Sequence, residues 1–72
     1  MRVLLRNIRT GFYYRGGFEW TSDRDQALDL GRTEDALKLA AEFRLRAAEV
    51  VLAFDDPMDD VVLPCVGPWW KN

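Results

Sequence analysis

The stretch GFYYRGGFEW, residues 11–20, decides the fold, because a Gly-Gly turn signal separates two runs of aromatic residues. It holds five of the nine aromatic residues in a chain of 72, so the question is what these rings cover. Gly16 and Gly17 both tolerate positive φ and predict a two-residue hairpin turn. Residues 12–15 and 18–21 are therefore predicted to be paired strands.

A further strand is predicted before this hairpin. Residues 2–8, RVLLRNI, are rich in aliphatic side chains. Arg9–Gly11 suits a three-residue loop in which Gly11 is left-handed. The first 21 residues are therefore predicted to form a three-stranded antiparallel meander.

Alternation along the strands assigns each side chain of the meander to one face, and a slip of one residue would exchange the faces. The predicted turns place Tyr14 between Arg6 and Glu19 in one row across the three strands. They place Tyr13 between Asn7 and Trp20 in the next row. The more apolar face is expected to lie under a helix; it carries Val3, Leu5, Asn7, Tyr13, Arg15, Phe18 and Trp20. The other face is expected to be open; it carries Arg2, Leu4, Arg6, Ile8, Phe12, Tyr14, Glu19 and Thr21.

Two helical segments are predicted after the meander. Ser22 and Asp25 have the spacing of a capping box, which predicts a short helical turn that ends at Gly31. Thr33 is expected to cap an amphipathic helix that runs to residues 44–46. The residues of this helix that are expected to face the sheet are Leu37, Ala40 and Ala41.

The last part of the chain is predicted to add strands. Residues 49–54, EVVLAF, are typical of a central strand covered on both faces, or covered on one and paired with a subunit on the other. Residues 61–63 predict a short fifth strand at the sheet edge, where Pro64 is tolerated. The predicted fold is one two-layer α+β domain over residues 1–72, β-β-β-α-β with that added edge strand. Residues 64–72 are expected to form a loop or a C-terminal arm.

The open face predicts a protein-protein interface, because an uncovered sheet face with apolar area usually marks an interaction site. Its expected contact residues are Leu4, Arg6, Ile8, Phe12, Tyr14 and Glu19. Trp69 and Trp70 are expected either to fold back on the domain or to bind a partner. The alternative for the face is a solvated surface with scattered apolar residues.

Composition argues against an enzyme. The chain has no histidine, one serine and two lysines, so it cannot build a Ser-His-Asp triad or a histidine metal site. Asp55, Asp56, Asp59 and Asp60 lack the spacing of an EF-hand and are expected to form a solvated acidic turn. Cys65 is expected to be a half-buried apolar residue. No cofactor or metal is predicted.

Binding of single-stranded nucleic acid is the alternative function. Arginine and aromatic residues alternate in the N-terminal hairpins, and Arg2, Arg6, Phe12 and Tyr14 would be the contact residues. The net charge of −2 disfavours this function, because phosphate binding depends on accumulated positive charge.

The start of the chain predicts a cytoplasmic protein. Three apolar residues between Arg2 and Arg6 are too few for a signal peptide. No segment approaches the roughly 20 apolar residues of a membrane helix.

Four segments carry a resemblance to a known type of protein: LRNIRTGFYYRGG, WTSDRDQALDLG, TEDALKLAAEF and EVVLAFDDP. Over about residues 4–57, the chain resembles small bacterial single-domain proteins with the pattern N-x-x-T-G-x-Y-Y, W-T-x-D and A-L-D-F-G. Leu30 stands where that pattern has an aromatic residue. The resemblance implies a compact α+β fold in a bacterial cytoplasm and carries no known activity.

The resulting hypothesis is a non-enzymatic protein-interaction module. Its expected partner is a second copy of the chain, giving a homodimer, or a bacterial partner protein. No membrane contact is expected.

Overall fold

A computed structural model describes residues 1–45 and 47–65. In chain order its elements are β1 (Arg2–Asn7), β2 (Tyr13–Gly16), β3 (Glu19–Thr21), a 3-10 turn (Arg24–Gln26), α1 (Thr33–Glu42), β4 (Ala48–Ala53), a second 3-10 turn (Pro57–Asp59) and β5 (Val61–Cys65). The strands form one antiparallel sheet in the order β3-β2-β1-β4-β5. The predicted α+β fold with one main helix and a fifth edge strand is confirmed. The fifth strand includes Pro64 and Cys65, so the predicted arm does not begin at residue 64, and residues 66–72 of that arm lie outside the described residues.

The centre of the sheet is the β1–β4 pair, which extends over six residue pairs from Arg2 opposite Ala53 to Asn7 opposite Ala48. Val50 and Val51 point to opposite faces and are both buried. β4 is therefore covered on both faces, which was the first of the two predicted environments.

The face under α1, called here the helix face, carries Val3, Leu5 and Val50, which pack with Ala36 and Ala40 of the helix. Alanine at these helix positions lets the helix backbone approach the sheet closely. Trp20 and Tyr14 extend the same cluster, with their ring centroids 5.4 Å apart in an edge-to-face arrangement. Leu37 also packs on this face, and Ala41 is half-buried.

The ends of α1 differ from the prediction. Arg32 precedes the first turn, no side chain caps it, and Thr33 is already helical, so the Thr33 cap was wrong. At the other end, the amides of Arg44 and Leu45 donate to the carbonyls of Ala41 and Ala40. This is a Schellman motif, and it requires positive φ at Arg44, where φ is 52°. The helix therefore ends about two residues before the predicted boundary.

The opposite face of the sheet, called here the far face, carries Leu4, Val51 and Ala53, all buried. Ala27 packs on these three residues, whereas Leu30 packs in the clusters of the helix face. The chain thus crosses from one face of the sheet to the other between residues 27 and 30.

Backbone hydrogen bonds hold this crossing between β1 and β2. The Leu28 amide donates to the Tyr14 carbonyl over 2.9 Å, and the Leu30 amide donates to the Val3 carbonyl over 2.7 Å. The Asp29 carboxylate accepts from the amides of Val3 and Gly31. These bonds, that from Val3 first, hold the pKa of Asp29 below its usual range.

The predicted pairing of β2 was wrong by one residue with each of its neighbours, β1 and β3. Arg6, not Asn7, lies opposite Tyr13, because the loop between the first two strands has four residues. The Asn7 side chain accepts from the Arg9 amide and the Thr10 hydroxyl accepts from the Phe12 amide, and these local bonds fix the longer loop.

The second slip occurs at the glycine pair. The turn residues are Gly17 and Phe18, both at positive φ, and Arg15 is bulged between Tyr14 and Gly16. Tyr14 therefore lies opposite Trp20 on the helix face, and Tyr13 moves to the far face. The two one-residue shifts offset each other in β3, so Trp20 lies on its predicted face. Only the first shift affects Tyr14, which therefore lies on the opposite face from the predicted one.

The first 3-10 turn also differs in its cap. Asp23, not Ser22, caps it, since the Asp23 carboxylate accepts from the Asp25 amide. Phe18 was predicted to be in the core, but its side chain is exposed at the hairpin tip.

Candidate functional site

The predicted interface does not form one surface. Leu4 is fully buried under the crossing segment, and Tyr14 is buried against Trp20 and Phe43 on the helix face. Neither side chain can contact a partner of the folded chain, so these two assignments were wrong. Tyr14 lies on the helix face because of the register shift in β2. Leu4 is buried because the crossing segment, which was not predicted, packs on it.

An ion pair between Arg24 and Asp60 holds the first 3-10 turn, which leads into the crossing segment. Arg24 donates to both carboxylate oxygens of Asp60, at 2.8 and 2.6 Å, and also to the Phe54 carbonyl. Asp60 in turn accepts from the Phe54 amide at 3.0 Å. The bidentate contact joins the first 3-10 turn to the start of β5 and holds the pKa of Asp60 below its usual range, chiefly through the Arg24 hydrogen bond.

The predicted row of Arg6, Tyr14 and Glu19 is replaced by one made of different residues. Tyr13, Arg6 and Glu49 lie opposite one another on β2, β1 and β4. The Arg6 guanidinium lies 5.6 Å from the centre of the Tyr13 ring and 3.1 Å from the Glu49 carboxylate. Arg6 is thus engaged within the chain on the far face.

The remaining predicted contact residues are spread over the molecule. Ile8 and Phe12 are exposed in the β1–β2 loop. Glu19 is exposed at the start of β3, 3.8 Å from Arg15. Trp69 and Trp70 lie outside the described residues.

The residues proposed for nucleic-acid binding are separated as well. Tyr14 is buried on the helix face, whereas Arg2 and Arg6 project from the far face and pair with Asp25 and Glu49. Phe12 lies in the β1–β2 loop and is exposed. These four residues therefore offer no common surface to a strand of nucleic acid.

The acidic turn has a local structural role at two of its four carboxylates. Asp56 accepts from the Met58 amide and caps the second 3-10 turn, and Asp60 pairs with Arg24. Within residues 1–45 and 47–65, no group of three or more His, Cys, Asp or Glu residues could hold a metal ion. Cys65 is half-buried as predicted, and burial raises the pKa of its thiol.

Among the described strands, the one with the most exposed apolar side chains is β5. Val61, Val62 and Leu63 keep 45%, 44% and 37% of their surface exposed, although each lies in a strand paired with β4. Val61 and Leu63 point to the helix face and Val62 to the far face. The strand contains no charged residue. Sequence reasoning identified an edge strand here but did not identify it as a contact surface.

The other edge of the sheet, β3, differs in length and in packing. It has three residues, begins with Glu19 and follows the bulge at Arg15. The Trp20 ring packs on Tyr14 and lies 6.3 Å from the Phe43 ring, so its apolar surface is used inside the chain. The exposed apolar edge is therefore β5.

Comparison with known protein families, curated proteins and solved structures finds no match. Among the described residues, none of the helices has the length and apolar character needed to cross a membrane.

Proposed function

We propose that the chain is a non-enzymatic protein-interaction module that self-associates through the edge strand β5. The observation that carries the proposal is the exposure of Val61, Val62 and Leu63 on both faces of an uncharged edge strand. This replaces the far face as the contact surface, because Leu4, Val51 and Ala53 are already covered within the chain.

An edge strand of this kind favours strand addition. Its outer backbone groups can pair with another chain, and natural proteins usually block such edges with charges, bulges, proline or short strands. Of these devices, β5 has Pro64 alone, close to its C-terminal end. Val61–Leu63 remains accessible for backbone pairing and for aliphatic cross-strand contacts.

The non-enzymatic part of the proposal rests on the available side chains. The sequence has no histidine, and its one thiol has a raised pKa, which disfavours the reactive thiolate. The carboxylates Asp29 and Asp60 have lowered pKa values, opposite to what a general acid near neutral pH requires.

The expected association is weak and depends on concentration. A stable interface commonly buries about 1,600 Å² in total, and a five-residue edge strand supplies only part of that area. A small chain gains from it nonetheless, since a domain near this size hides only about 60% of its unfolded surface.

The test is light scattering over a concentration series for the wild type and Val62→Lys. The mean mass of the wild type is expected to rise towards that of a dimer, whereas Val62→Lys stays monomeric because a charged ammonium group would replace an aliphatic side chain in the contact. Met58→Lys is the matched control. Met58 is exposed and lies outside the strand, and its substitution changes the net charge by the same amount. A wild type that stays monomeric throughout, or a Val62→Lys variant that associates like the wild type, overturns the proposal.

A further inference from the structure

The direction of the backbone groups in β5 follows from the β1–β4 ladder. The Ile8 amide donates to the Ala47 carbonyl, so even-numbered residues of β1 direct their amides and carbonyls towards β4. Leu4 lies opposite Val51, so Val51 directs its backbone groups towards β1. The next residue along the strand, Val50, therefore directs its backbone groups to the other side, towards β5. Val50 lies opposite Leu63. Leu63 therefore bonds to β4, and the backbone groups of Val62 and Pro64 point outwards.

These two outward residues are not equivalent. Proline has no amide hydrogen, and its ring occupies the place where a donor would approach a neighbouring carbonyl. Val62 is therefore the residue within β5 whose outward side offers both a donor and an acceptor.

We infer that a second copy of the chain pairs antiparallel with β5, with Val62 opposite Val62 on a twofold axis perpendicular to the sheet. This inference rests on the proposed function. The two Val62 residues exchange both of their hydrogen bonds at the axis. Pro64 then lies opposite Asp60 of the second copy, where the chain has already left the strand, so the ring meets no ladder bond.

The neighbouring register is disfavoured by sterics. If Leu63 lay on the axis, Pro64 would face Val62 of the second copy in both of the closely spaced hydrogen-bonding pairs. A proline ring cannot fit within the roughly 2.9 Å between the nitrogen and oxygen of such a bond. Both pairs would be forced apart, and the register centred on Val62 avoids this.

Charge and symmetry also fit a second copy. In the Val62 register, Asp59 and Asp60 lie opposite Cys65 and Pro64, so carboxylates of the two copies do not face each other. A parallel pair would bring these acids together. The β3 edge is short and carries Glu19, which disfavours head-to-tail growth, so the contact closes as a dimer with a continuous ten-stranded sheet.

The register makes a specific prediction about neighbours. Val61 of one copy lies opposite Leu63 of the other as a pair without hydrogen bonds, with Cα atoms about 4.5 Å apart. The two Leu63 residues lie diagonally, about 7–8 Å apart. Disulfide formation requires Cα atoms within about 7 Å, so the first pair can be bridged and the second cannot.

The experiment is disulfide trapping in a Cys65→Ser background. Val61→Cys and Leu63→Cys chains, one carrying a mass tag, are mixed in equal amounts at a concentration where light scattering shows association, and then oxidised. We expect the mixed disulfide to exceed either homodimer by about tenfold, because it alone joins facing residues. The Leu63→Cys chain oxidised alone is the matched control and is expected to stay uncrosslinked.

Three results would overturn the inference, and they separate it from the proposed function. A dominant Leu63→Cys homodimer gives the other register, with self-association at β5 intact. Association in scattering with no crosslink in any mixture places the contact elsewhere on the surface. Monomers in scattering at every concentration remove both the inference and the proposed function.

Discussion

The two edge strands of the sheet, β3 and β5, differ in how far their unpaired sides are protected from pairing with another chain. The β3 edge is short, starts with a carboxylate, and turns its Trp20 ring inwards against Tyr14 and Phe43. The β5 edge is longer, uncharged and aliphatic on both faces, and is held at its start by the Arg24–Asp60 contact. The difference is that the apolar surface of β3 is packed within the chain, whereas that of β5 remains exposed.

The largest expected effect concerns the packing of the β3 edge. Trp20→Ala is expected to lower the free energy of unfolding by about 3 kcal/mol, because it removes a large ring from the aromatic cluster. Val62→Ala on the other edge is expected to lower the free energy of unfolding by less than about 1 kcal/mol, since 44% of the Val62 surface is already exposed. Urea unfolding of both variants under dilute, monomeric conditions measures the difference. Equal losses would contradict the contrast between a packed edge and an open one.

A smaller loss of stability is expected in acid, because it protonates Asp60 beside the β5 edge and Asp29 in the crossing segment. The lowered pKa values of Asp60 and Asp29 mean that their stabilisation is complete above the ordinary carboxyl pKa near 4 and is lost as pH falls through the lowered values. Unfolding free energies should therefore decrease below about pH 4. Asp60→Asn should have a lower free energy of unfolding than the wild type at pH 7, and the difference between the two free energies should become smaller at low pH.

Glu19→Gln is the matched control for that measurement. Glu19 is exposed and lies 3.8 Å from Arg15, so the control removes a surface carboxylate from the other edge. A gap for Asp60→Asn that is constant with pH would show that the carboxylate does not stabilise the folded chain through its charge.

The smallest effect concerns the turn that leads into β3. Phe18 has φ of 62°, a conformation that costs a residue with a side chain about 1 kcal/mol, and the residue is 82% exposed. Phe18→Gly is expected to raise stability by about 0.5 kcal/mol, because relief of strain exceeds the loss of the peripheral contact with Phe43. Gly17→Ala, at φ of 58°, should lower it by about 1 kcal/mol. Thermal unfolding measures both, and a destabilised Phe18→Gly would mean that the ring contact matters more.

The sequence was sufficient for the order of elements but not for the register of β2. Hydrophobic alternation and glycine predict where strands begin and end, and these features placed β1, β4, β5 and α1. The register depended on the Asn7 and Thr10 side chains in one loop and on positive φ at Phe18 in the next turn. A bulky aromatic residue seldom adopts that conformation, so nothing in the local pattern favoured it over Gly16 and Gly17.

The crossing at residues 27–30 explains why the expected open face is closed. Its signal in the sequence was Asp29 followed two residues later by Gly31, which permits a local carboxylate-amide bond and a left-handed residue. That signal predicts a turn but not its passage between β1 and β2, which depends on the long-range Val3–Asp29 bond. The exposure of Val61 and Leu63 depends likewise on where α1 lies on the helix face, which no local pattern determines.

The most direct test of the central claim compares one backbone amide on each edge. Val62 and Trp20 both direct their amides away from the sheet: Val62 because Leu63 bonds to β4, and Trp20 because Tyr14, opposite it, directs its carbonyl towards Leu28. Hydrogen exchange of these two amides would be followed by NMR as protein concentration rises. We predict that exchange at Val62 slows with concentration while exchange at Trp20 does not change. Unchanged exchange at Val62 at concentrations where the protein is dimeric would contradict the account.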